Sequence, residues 1–110
     1  MMISKSAVNR EIQGFLEALE SAGFRVEKAY LFGSMYKGNP HAYSDIDLAV
    51  WSPDFSSNYF ENMEKTAPLK RLFKRVELHP FQLQDSAENN PFITVIESTG
   101  KKVENGMETI

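Results

Sequence analysis

The stretch Leu31 to Val50, LFGSMYKGNPHAYSDIDLAV, constrains the fold more than any other part of the chain. Tyr30, Leu31 and Phe32 read as the end of a buried strand, followed at once by Gly33 and Ser34. Ten residues later comes Asp45-Ile46-Asp47, at the head of a second apolar run that continues to Val50. Gly33 has no Cβ, so the backbone there can turn sharply and approach a ligand closely. Ser34 offers a hydroxyl and a main-chain N–H where a short helix would begin, a place suited to phosphate oxygens. Strand side chains alternate, so Asp45 and Asp47 share one face, roughly 6.6 Å apart along the strand. Two carboxylates on one rigid face suit Mg²⁺ when substrate phosphates complete its shell. A calcium loop is excluded: no Gly or Glu follows at the required offsets, and Leu48-Ala49-Val50 continues as strand.

At 110 residues the chain is expected to form one domain, residues 1–110, with 101–110 as a polar tail. Its 42% hydrophobic and 25% charged residues are those of an ordinary globular protein. The absence of cysteine excludes a disulfide framework, thiolate chemistry and a zinc–sulfur site. No apolar stretch approaches membrane-spanning length and the N-terminus does not read as a signal peptide, so a cytoplasmic location is the default. A net charge of −3 argues against a general nucleic-acid binder, though not against a local basic patch.

The periodicities give an α/β order. Ser6 is placed to cap a helix running to about Ser21, whose stripe Val8, Ile12, Phe15, Leu16 and Leu19 faces a core, with Gly23 as its stop. Arg25 to Phe32 reads as the first strand, 34–37 as one helical turn, Gly38 to Ser44 as a loop and Asp45 to Trp51 as the second strand. Asn58 to Lys65 is a helical stretch, and Pro68 restarts a helix to about Phe73. Arg75 to His79 reads as the third strand, closed by Pro80. Gln82 to Asn89 is a loop or poor helix, and Pro91 opens a helix through Glu97 stopped by Gly100. The fold class is therefore α/β (α+β), a small mixed β-sheet with helices packed on it.

Glycine-serine, ten residues and aspartate-x-aspartate in this order resemble the nucleotidyltransferase superfamily that includes DNA polymerase beta. The short length makes the chain similar to its minimal bacterial and archaeal members. The resemblance is carried by residues 31–50 and more weakly by a third carboxylate. Superfamily members place a further acidic residue on a neighbouring strand. The only acidic residue on the third expected strand is Glu77, in Arg75-Val76-Glu77-Leu78-His79. Many minimal relatives carry aspartate there, one methylene shorter. In two-metal phosphoryl transfer this residue would serve the metal that activates the nucleophile and could accept its proton. The plainer account is a surface glutamate paired with a lysine or arginine.

The resemblance implies a nucleoside triphosphate held with Mg²⁺ at a two-metal site. Asp45, Asp47 and Glu77 would be its catalytic and metal-ligating residues, and Gly33, Ser34, Lys37 and Ser44 its nucleotide-binding residues. Lys37-Gly38 stands where many relatives carry Arg-Gly, but lysine lacks the bidentate fork of arginine and is as readily a solvated loop residue. Ser44 precedes the aspartate pair, where it could fix the loop. His79 shares parity with Glu77, which makes a metal or proton-transfer role conceivable, although most such histidines are structural. The cluster Lys70, Arg71, Lys74 and Arg75 reads as a solvated helix face.

An acceptor hydroxyl would attack the α-phosphorus of ATP and pyrophosphate would leave. Minimal nucleotidyltransferases are often encoded beside a helical HEPN-domain protein as toxin–antitoxin pairs. There the nucleotidyltransferase is the antitoxin and can transfer AMP to a tyrosine of the HEPN toxin, an RNase. The alternatives are a catalytically weak nucleotide-binding module that masks a partner, or a transferase acting on a small molecule or an RNA end.

Overall fold

The structure is a computed structural model that describes residues 4–33, 45–104, 106 and 109. The elements run α1 (Lys5–Ser21), β1 (Lys28–Phe32), β2 (Ile46–Trp51), α2 (Tyr59–Leu72), β3 (Val76–Phe81), α3 (Pro91–Thr99) and β4 (Lys101–Lys102). Among the described residues the strands form one mixed sheet in the order β3-β2-β1-β4. β2 pairs antiparallel with β1 and parallel with β3, and β4 pairs antiparallel with β1. This is the mixed α/β architecture expected from the sequence.

Alternation along the strands builds two cores. Leu31, Ile46, Leu48, Val50, Val76 and Leu78 pack with Val8, Ile12, Phe15 and Leu19 of α1 and Leu69 of α2. On the opposite face, Phe32, Ala49, Trp51 and Phe81 pack with Ile93 and Ile96 of α3. β2 therefore has helices over both faces, and of its six residues only Asp47 is not fully buried. α3 can lie close against β1 because its C-cap is Gly100: a Cβ there would stand 2.6 Å from the Ile96 carbonyl oxygen and 2.7 Å from that of Leu31.

Several boundaries differ from the sequence expectation, each for a local reason. The N-cap of α1 is Ser4, whose side chain accepts from the main-chain N–H of Ala7, rather than Ser6. α2 is one helix with Pro68 inside it, not two pieces. Pro68 is exposed, so the carbonyl left without its usual amide faces water. β3 runs through Pro80 to Phe81. The Arg75 and Phe81 carbonyls accept from Ile46 and Ser52, so odd-numbered residues of β3 turn their main-chain groups toward β2 and even-numbered ones outward. The amide that Pro80 lacks would thus have faced the open edge, where a proline is tolerated.

Beyond Gly100 the described residues of the expected polar tail make specific contacts. Lys101 and Lys102 pair with Leu31 and Tyr30, Val103 is buried and donates its N–H to the Ala29 carbonyl, and the Thr109 N–H donates to Asn9 Oδ1. Lysines on an edge strand hid this short pairing from a reading based on hydrophobic alternation. The expected helical turn at 34–37 and the whole of the loop at 38–44 lie outside the described residues, and with them Ser34, Lys37 and Ser44.

Asp54 clamps the far end of the sheet. Its Oδ2 accepts from the Arg25 main-chain N–H at 2.9 Å, and that bond holds its carboxyl below the usual aspartate pKa, with the Arg25 side chain adding to the effect. A carboxyl whose pKa is lower folded than unfolded stabilises fully above the unfolded value, and loses that contribution as pH falls through the folded one. Asp54→Asn should therefore melt below wild type at neutral pH, and the gap should close as both proteins are taken below about pH 4. Melting curves over a pH series check this; a gap independent of pH would show that Asp54 acts through packing alone.

Candidate active site

The C-terminal half of β2 lies under α3, through Ala49 and Trp51. At its N-terminal end, which α3 leaves open among the described residues, the same sheet face carries the half-buried Asp47 and, one step beyond the strand, the exposed Asp45. The parallel register sets Asp47 directly opposite Glu77, and the antiparallel register sets it opposite Phe32. Three sequence-derived candidates therefore occupy one end of one sheet face, on adjacent strands. A carboxylate is tolerated on so buried a strand because this end stays in contact with water.

Gly33 follows β1 directly and has φ +80°, a conformation that strains any residue bearing a Cβ. A Cβ built there would lie 2.6 Å from Asp47 Oδ2. The glycine is thus required twice, by its backbone conformation and by the carboxylate resting against it. On its other side Asp47 Oδ1 meets His79 Nε2 at 3.3 Å. His79 lies on β3 in register with Ala49 and contacts Phe32 edge-on, with ring centroids 4.9 Å apart.

Glu77 faces a competitor. Its Oε2 accepts from Lys70 Nζ at 3.0 Å, and the same ammonium donates to the carbonyls of Val76 and Lys74. Lys70 thus belongs to an ion pair at the sheet edge and not only to the solvated helix face expected for the basic cluster. Both side chains are about half exposed, 50% for Lys70 and 49% for Glu77, so the pair is worth no more than about 1 kcal/mol. Nearby, burial pushes the Glu11 carboxyl up, while Arg75 and then Lys70 pull it back.

Among the described residues no three His, Cys, Asp or Glu side chains gather closely enough to hold a metal ion. The donors nevertheless suit Mg²⁺: two carboxylates share one open face, one of them set against bare glycine backbone, and a third stands in register with its chain turned aside. A separate concavity lies away from these carboxylates. It is a groove of about 740 Å³ between α1 and the β1–β4 edge, and Asp45, Asp47 and Glu77 do not line it.

His79 and its aromatic neighbours carry the part of the site that sequence reasoning underweighted. The parity of His79 with Glu77 was visible, but its bond to Asp47 depends on the β2–β3 register. Phe92, near the start of α3, lies 5.8 Å from Phe32 and 6.1 Å from His79 between ring centroids, and no local motif marked it.

Compared with known protein families, residues 12–105 match the family described as Polymerase beta, Nucleotidyltransferase. No curated protein sequence matches the chain. Among solved structures, a Sulfolobus solfataricus protein assigned as a nucleotidyltransferase superposes with a TM-score of 0.60 at 20% identity, over 77% of this chain and 74% of that one. A chain of a toxin–antitoxin complex with AMP-PNP gives 0.59 at 22% identity, over 90% and 74%. A chain from the complex of tri-AMPylated Shewanella oneidensis HEPN toxin with MNT antitoxin gives 0.55 at 20% identity, over 93% and 73%. At these identities the likeness is one of fold.

Gly33→Ala should destabilise the protein by about 1–3 kcal/mol through its forced backbone conformation. The new methyl should also displace the Asp47 carboxylate. Urea unfolding measures the first effect, and wild-type stability in the alanine variant would contradict the geometry at this position.

Proposed function

The chain belongs to the polymerase beta family of nucleotidyltransferases, and we propose that it transfers AMP from ATP to a hydroxyl on a HEPN-type toxin, as the antitoxin of a pair. The observation that carries this reading is the open end of β2, where Asp45 and Asp47 share a face with Glu77 in register and Gly33 alongside. The toxin and AMP parts draw on the complexes above, one containing AMP-PNP and one a tri-AMPylated HEPN toxin with an MNT antitoxin. The 110 residues would act as one nucleotidyltransferase domain in the cytoplasm. Among the described residues, no helix is long and apolar enough to cross a membrane.

Asp45 and Asp47 would hold Mg²⁺, which when bound neutralises the triphosphate as charge shifts to the leaving pyrophosphate. Gly33 and Ser34 would receive triphosphate oxygens on main-chain N–H groups, with Lys37 and Ser44 beside them. The acceptor oxygen attacks the α-phosphorus, the bond to the bridging oxygen breaks, and pyrophosphate departs. Glu77 would take the proton of the acceptor once its carboxylate leaves Lys70. The chain contributes positioning and charge rather than a covalent intermediate.

ATP should bind far more tightly with Mg²⁺ than with EDTA, because carboxylates and triphosphate repel one another without the cation. Asp47→Asn should lose that difference while remaining folded; calorimetry reads the first and a melting curve the second. An unfolded Asp47→Asn protein would make the residue structural and end this assignment.

A second reading is favoured by one observation, the use of Glu77 by Lys70. The protein would then bind nucleotide and mask its partner without modifying it. Glu77→Gln distinguishes the two. If Glu77 is the general base, the variant should transfer AMP to a co-purified partner about 10²–10⁴ times more slowly, with ATP affinity little changed. Mass spectrometry of the partner counts the added groups. A wild type that neutralises its partner and modifies nothing selects the masking module, and equal rates in wild type and variant leave Glu77 a surface residue.

A further inference from the structure

We infer that His79 is a positioning residue for Asp47, fixing the carboxylate in the one orientation that presents it to a metal-bound nucleotide. The inference rests on the reading of Asp47 as a metal ligand. A carboxylate only accepts, so the contact at 3.3 Å requires His79 Nε2 to carry the proton.

The imidazole is itself held. Phe32 meets it edge-on at 4.9 Å and 63°, and Phe92 lies 6.1 Å away at 55°, the two phenyl rings touching each other at 81°. Its β2 neighbour in register is Ala49, whose small side chain leaves the ring free to lean toward Asp47. Asp47 is then bounded at both oxygens, Oδ2 by the Gly33 backbone and Oδ1 by His79. These contacts restrict a side chain with two free rotations before any ligand arrives, which is how hydrogen-bonded neighbours tune a ligating group.

A purely structural role fits less well. His79 and Asp47 have side-chain exposures of 29% and 27%, so neither is buried deeply enough to unfold the protein for want of the other. A contact so placed adds little to stability, and its consequence is orientation.

The test uses Mn²⁺ with AMP-PNP, titrated by electron paramagnetic resonance, on wild type, Asp47→Asn, His79→Leu and His79→Gln. His79→Leu should weaken Mn²⁺–nucleotide binding about 10–100-fold and melt within a few degrees of wild type. His79→Gln restores an N–H donor and should recover most of the loss. If Asp47→Asn weakens binding and His79→Leu does not, the positioning role is overturned and the metal site stands. Equal binding by wild type and Asp47→Asn overturns the metal site, and the inference with it. Nitrogen modulation from imidazole bound directly to Mn²⁺ would make His79 a ligand and likewise overturn the proposal.

Discussion

The placement of a carboxylate, Asp47, on a doubly covered strand governs this molecule. β2 is the sheet's most enclosed strand, with α1 and α2 over one face and α3 over the other. A bare carboxylate could not be buried at its middle without several kcal/mol of penalty. Asp47 is tolerated because the apolar cluster under α3 takes up Ala49 and Trp51 of the strand and leaves Asp47 partly exposed. The span of α3 therefore covers the half of the strand that supplies the core, and Asp47 lies outside that cluster, only half-buried.

Much of this was legible in the sequence, and the parts that were not share a cause. A glycine and two aspartates at fixed offsets encode their own geometry, because φ freedom and strand alternation are local properties. The α1 stripe was legible for the same reason. Pro68 and Pro80 misled because a proline is judged by where its missing amide would point, and that depends on solvent and on a neighbouring strand. β4 escaped notice because two lysines carry no alternation. The bond from His79 to Asp47 and the approach of Phe92 exist only once β2 and β3 are in register and α3 is docked. The segment containing Ser34, Lys37 and Ser44 lies outside the described residues, so its phosphate roles stand as the sequence left them.

The contest over Glu77 sets the scale of the remaining chemistry. A half-exposed lysine pair is a weak hold beside a divalent cation, whose charge is doubled and whose coordination is direct. Lys70 occupies the carboxylate at a cost that a metal-bound triphosphate could readily exceed. The same ammonium also bonds two carbonyls, so Lys70 keeps partners when Glu77 leaves.

Those bonds have a bearing on the life of the protein in a crowded solution. The outer border of β3 is where a foreign strand would find unsatisfied main-chain groups. Here the Val76 carbonyl is occupied by a lysine ammonium, and position 80 has no amide to offer. A neighbour copying the sheet along that border would meet a missing donor and a charge within a few residues, an obstacle to amyloid-like stacking and strand exchange. The border beside the candidate active site is thereby a poor template for a further strand.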